Sequence, residues 1–126
     1  MKQGEITFKE VNSYIPEWES VRKGGMTAQD IRERYICSHG IVLQALGRVG
    51  HCVFGQDKES YRLLLQNLTS IDWSLKNRDW EGRAILGGRI TKSPLNVILT
   101  ANYIKKICGI SLVYSEEEIE RSLYGI

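Results

Sequence analysis

The residues best equipped for chemistry stand in one short stretch, Arg83 to Ser93, reading RAILGGRITKS. Arg89 and Lys92 run into Ser93-Pro94, a pairing that marks a helix start, with serine as the cap and proline at the first helical position. A helix N-terminus leaves backbone N–H groups unpaired and carries a partial positive charge, so it suits phosphate. Ser93 adds a hydroxyl. Arg83 joins the group if Gly87-Gly88 folds the loop back, as paired glycines allow. Arg83, Arg89, Lys92 and Ser93 are therefore the candidate anion-binding and nucleic-acid-binding residues; the plain alternative is a solvated basic loop. GGRITKS lacks the glycine four residues before a glycine-lysine pair that a phosphate-cradling Walker loop needs, so nucleotide hydrolysis is not supported.

Charge collects around this stretch. Lys76, Arg78, Arg83, Arg89, Lys92, Lys105 and Lys106 face only Asp79 and Glu81 between positions 76 and 106, while the whole chain carries +2. The acidic counterpart is Glu116, Glu117, Glu118 and Glu120, expected to be a solvated helix start.

Other chemistries find little support. Cys37, Cys52 and Cys108 are odd in number and widely spaced, which suits neither a disulfide framework nor a zinc site. They read as small buried apolar groups in a reducing, cytoplasmic compartment. The histidines are His39 and His51; His39 falls on an apolar stripe and reads as a hydrogen-bonded core group. No paired carboxylates, metal-ligand cluster or nucleophile-base arrangement stands out. The expectation is a protein that is not an enzyme, with no catalytic residues, metal or cofactor.

The elements that must position the basic stretch read as helices. Phe8, Val11, Tyr14 and Ile15 suggest a first amphipathic helix, broken by Pro16, which opens a second carrying Trp18 and Val21 up to Gly24-Gly25. Thr27 with Asp30 caps the next helix. From there Ile31, Tyr35, His39, Val42, Leu46 and Val49 recur at three- and four-residue steps, which predicts one long central helix ending between Gly47 and Gly55. Asp57 caps KESYRLLLQNL, with Tyr61, Leu64, Leu65 and Leu68 on one face. Trp73 and Trp80 read as core. The Ser93-Pro94 helix stops at Gly109, and Ser115 with Glu118 matches a capping box for a last helix carrying Ile119 and Leu123. Ala84–Leu86 and Ile110–Tyr114 are the only candidates for short extended pieces. The predicted fold class is a compact all-α, multi-helix domain over residues 1–126, with core members Trp18, Tyr35, Leu46, Leu64, Trp73, Ile98 and Ile104.

Composition agrees: 126 residues, 42% hydrophobic and 25% charged, fit one soluble globular domain. No apolar run approaches the roughly 18 residues of a membrane span.

Five segments carry a family resemblance: HGIVLQALG (39–47), IDWS (71–74), WEGRA (80–84), GRITKS (88–93) and LTAN (99–102). In that order they resemble the C-terminal part of DndB, DNA sulfur-modification proteins with a DGQHR-type N-terminal domain. The likeness spans roughly Phe8 to Glu120. No DGQHR sequence occurs, so the resemblance implies a C-terminal part of a longer protein or a short relative. It further implies a bacterial cytoplasmic protein of the DNA phosphorothioation system, acting as a DNA-binding regulator. The competing expectation is a helical interaction domain that docks a missing N-terminal domain or another subunit, its arginines solvated or paired.

Overall fold

The computed structural model describes residues 15–37, 39–53 and 58–124. The expected helix around Phe8 and the Asp57 cap lie outside these residues. Among these described residues six α-helices follow in order: α1 Pro16–Arg22, α2 Ala28–Arg34, α3 Gly40–Val53, α4 Lys58–Asn67, α5 Pro94–Ile107 and α6 Tyr114–Tyr124. Two single-turn 3-10 helices, Leu68–Ser70 and Arg78–Trp80, and two short strands, β1 Ile85–Leu86 and β2 Arg89–Ile90, complete the described elements. The fold is mostly helical, as expected.

Local chemistry accounts for several boundaries. Thr27 Oγ1 accepts the N–H of Asp30 at 3.1 Å, and Asp30 Oδ2 accepts the N–H of Thr27 at 3.2 Å. This reciprocal capping box satisfies two N–H groups that the helix leaves over. At the other end of the chain's longest basic-led helix, Gly109 takes φ +75° and lets Ile110 N–H reach Lys105 O at 2.8 Å, a left-handed stop.

The predicted long central helix is corrected to two. The periodic stripe is real, but α2 ends at Arg34 and Tyr35 is extended, with φ −133° and ψ 151°. A better set of hydrogen bonds is available there. Tyr35 bridges Ser74 antiparallel, Ile36 N–H bonds Trp73 O at 2.7 Å, and Leu75 N–H bonds Arg34 O at 3.0 Å. These contacts carry Ile36 and Cys37 into the core, both off the predicted stripe and both fully buried. Helix resumes after His39, whose carbonyl accepts from Val42 and Leu43 and whose Nε2 lies 2.8 Å from Arg32 O. His39 is thus a hydrogen-bonded structural group, at a helix start rather than mid-helix.

α3 and α5 form the most extensive helix pair. Each presents apolar residues at steps of three and four, Val42, Ala45 and Val49 on α3, and Ala101 and Ile104 on α5 followed by Cys108 at its C-cap, all fully buried in one cluster. Each buried Val or Ile contributes about 1.5–3 kcal/mol relative to exposure. Trp73 and Trp80 lie outside α-helix yet stack at 5.7 Å with a 16° interplanar angle, and Tyr103 of α5 meets Trp80 edge-on at 4.8 Å. Of the expected core, Trp18, Leu64, Trp73 and Ile104 are buried; Tyr35 and Leu46 pack partly buried against the cluster, and Ile98 is only half-buried. Cys37 and Cys108 are buried, and burial pushes both thiols up to about 12, so neither is a ready nucleophile.

Candidate nucleic-acid interface

The basic stretch is organised by a glycine hairpin. Gly87 and Gly88 take φ +57° and +81°, the pair of left-handed conformations that lets a two-residue turn match strand twist. Ile85 then pairs with Ile90 and Leu86 with Arg89, while Gly87 N–H is held by Glu81 Oε1 at 2.6 Å. Arg89 emerges exposed on β2 and Lys92 is exposed three residues later.

The segment delivers Ser93 to the N-cap of α5 with Pro94 at the first helical position. Ser93 O accepts Val97 N–H at 3.0 Å, which begins the helical ladder. The expectation of a capping serine holds for position but not for the side chain, which makes no capping hydrogen bond. Proline lacks an N–H, so the amides of Leu95 and Asn96 mark the positive end of the helix. The Asn96 side chain turns inward instead, donating to Gly82 O at 3.3 Å and Arg83 O at 2.7 Å.

Arg83 departs from the expected surface. The glycines fold Arg89 back onto Leu86 but leave Arg83 on the other side of the turn, where Asn96 anchors its backbone to α5. Its side chain is 5% exposed and donates to Glu120 Oε1 at 2.7 Å, Glu120 Oε2 at 3.0 Å and Leu99 O at 2.6 Å. The guanidinium also lies over the Tyr103 ring at 5.7 Å. In this arrangement it does not face an outside phosphate. Arg89, Lys92 and Ser93 lie within five residues of one another ahead of α5, the first two exposed; Arg83 is buried.

Sequence reasoning missed the counterpart of Arg83. Glu116 and Glu120, expected on a solvated helix start, are 1% and 6% exposed. The Nζ of Lys105, a residue itself 1% exposed, lies 2.8 and 3.0 Å from the two Glu116 oxygens, and Arg48 Nη2 lies 3.1 Å from Oε2. Lys106 Nζ and Asn102 Nδ2 join Arg83 on Glu120, at 2.8 and 3.1 Å. Burial pushes both carboxyls up, but the donors outweigh it: Arg83, Lys106 and Asn102 hold Glu120 at about 2, and Lys105, Val113 N–H and Arg48 hold Glu116 below its ordinary value. The expected Ser115–Glu118 capping box is also replaced. Glu116 Oε1 accepts Val113 N–H at 3.0 Å, and Val113 O accepts from Glu116 and Glu117. The i, i+4 spacing of the two glutamates was the available signal, since it places them on one face.

Of the seven basic residues between 76 and 106, Arg83, Lys105 and Lys106 are thus neutralised internally. Lys76, Arg78, Arg89 and Lys92 are exposed.

Among the described residues, no helix is long and apolar enough to cross a membrane. No curated protein and no solved structure matches the chain. A family model described as DndB, DNA-sulfur modification-associated, matches residues 1–111, and these hold every basic residue just described. The hairpin, the Ser93 helix start and the α3–α5 core beneath them are therefore parts of a segment that shows the chain to belong to the DndB family of DNA sulfur modification-associated proteins.

Proposed function

We propose that this chain is a DNA-binding or regulatory module of a bacterial DNA phosphorothioation system, acting in the cytoplasm and contacting DNA phosphates through Arg89, Lys92 and the Ser93 start of α5. Family membership supplies the DNA sulfur-modification context. The observation that carries the DNA contact is the joining of exposed Arg89 and Lys92 to an N-cap serine whose hydroxyl is not spent on the cap. Phosphate meets there two cations, a hydroxyl and the positive end of a fourteen-residue helix. The reading is non-enzymatic and needs no cofactor.

Docking, to an N-terminal DGQHR domain of a longer protein or to another subunit, is the second reading. Leu86 and Leu95, 47% and 51% exposed, favour it because they flank the same loop.

Fluorescence anisotropy of a labelled duplex across a salt series tests the proposal. The logarithm of affinity should fall with the logarithm of salt by about 0.9 per phosphate contacted. Arg89→Ala or Lys92→Ala should weaken binding to all sequences alike and lower that slope by about one. Glu117→Ala, on exposed α6 surface, should leave binding unchanged or slightly tighter. Binding absent at low salt, or indifferent to Arg89 and Lys92, would favour docking.

A further inference from the structure

The last helix is held in an unusual way. An amphipathic helix ordinarily buries its apolar stripe. In α6 the buried described side chains are Glu116 and Glu120, whereas Tyr114 and Leu123 are 73% and 39% exposed and Ile119 is half-buried. No described α6 residue belongs to the hydrophobic cluster or packs against it as a partly buried neighbour. Two carboxylates, one helical turn apart, therefore do the holding, against Arg48 of α3, Arg83 of the hairpin and Lys105 and Lys106 of α5.

We infer that these four cations form a second anion-binding cleft for a nucleic-acid backbone, and that α6 is a displaceable strap whose carboxylates occupy it in the closed state. The inference deepens the preceding section and rests on DNA being the ligand. Three observations support it. The cleft already holds anions in the geometry phosphate uses: Arg83 meets the Glu120 carboxylate with a two-pronged pair of hydrogen bonds, the pattern in which arginine also grips phosphate. It has two adjacent anion positions, roughly 6 Å apart along the helix axis, so a polyanion with successive charges fits it better than a single phosphate. Among its described residues the covering helix contributes no member to the apolar cluster, with Ile119 half-buried and Leu123 39% exposed, so the ion pairs are the main hold on it, and phosphates would re-form them.

The arrangement makes α6 a competitor of DNA. With the strap closed, the exposed loop at Arg89 and Lys92 is the available contact. With it open, Arg48, Arg83, Lys105 and Lys106 add to the same polyanion surface.

The test uses the full chain. Glu116→Gln/Glu120→Gln keeps side-chain size and removes the competing charges, while Glu117→Gln/Glu118→Gln removes the same charge from exposed positions of the same helix. The first variant should bind the labelled duplex on the order of tenfold tighter than wild type and with a salt slope steeper by about two. The second should move affinity far less. Adding Arg83→Gln to the first variant should cancel its gain. Equal gains from the two double variants would reduce the effect to net charge and overturn the inference. Hydrogen exchange on the wild-type chain gives an arm that needs no variant: α6 amides should exchange faster when duplex is bound, and unchanged or slower exchange overturns the strap even if the first variant misfolds. Absence of duplex binding from wild type and every variant also overturns it. Tight binding by the first variant that ignores Arg89→Ala and Lys92→Ala but needs Arg83 upholds the cleft and sinks the loop reading.

Discussion

At the scale of single residues, Arg83 and Glu120 show how burial changes what a charge is for. Each is under 10% exposed, and each satisfies the other with two hydrogen bonds. Removing one partner leaves the other charge buried and unpaired, so Arg83→Ala should destabilise the fold by about 3–5 kcal/mol. Chemical denaturation measures this, and the double change Arg83→Met/Glu120→Leu should recover much of the loss, because a buried pair is often replaceable by apolar groups. The same pair sets an acid limit. The folded value of Glu120, about 2, lies below its ordinary 4.5. Its carboxylate therefore stabilises the fold fully above that ordinary value, and the contribution is lost as pH falls from there through about 2. Glu116, also lowered, acts in the same direction. Glu120→Gln should flatten the acid side of a stability-versus-pH curve measured by urea unfolding; an unchanged curve would show that the pair does not set it.

Elements were legible in the sequence where their signals are local. Thr27 with Asp30, Ser93 with Pro94, and Gly109 each mark a boundary within three residues, and the structure ends or begins helices there. The long central helix failed because its interruption at Tyr35 depends on Trp73 to Leu75, which no periodicity count can see. The buried face of α6 failed for the same reason: Arg83 lies 37 residues from Glu120. Ser93, Arg89 and Lys92 could be grouped from sequence because a hairpin and a cap are short-range; placing Arg83 with them assumed the wrong side of the turn. The hairpin itself offers a clean check. Gly88 has φ +81° with open space where a Cβ would stand, so Gly88→Ala carries a backbone cost alone, about 1–2 kcal/mol. A urea midpoint that does not move would mean the turn is not held in this form.

On the scale of the whole molecule, one apolar cluster ties α1 to α5 together, and Trp73 sits in it at 1% exposure against Trp80. Trp73→Ala should cost about 3–5 kcal/mol, a large share of the stability of a domain this size. Thermal unfolding followed by calorimetry reads it, and an unmoved midpoint would remove Trp73 from the core. The acidic strap has a further consequence, for how the chain is made. Each of the four cations that Glu116 and Glu120 hold is translated before its carboxylate: Lys105 precedes Glu116 by 11 residues and Arg83 precedes Glu120 by 37. At about 5–20 residues per second, those gaps last roughly 0.6–2 s and 2–7 s. For that interval Glu116 and Glu120 are not yet made, while Lys105 and Arg83 already stand beside a ribosome built of phosphates. The two carboxylates of α6 thus arrive after every described member of the apolar cluster, the last of which is Ile110.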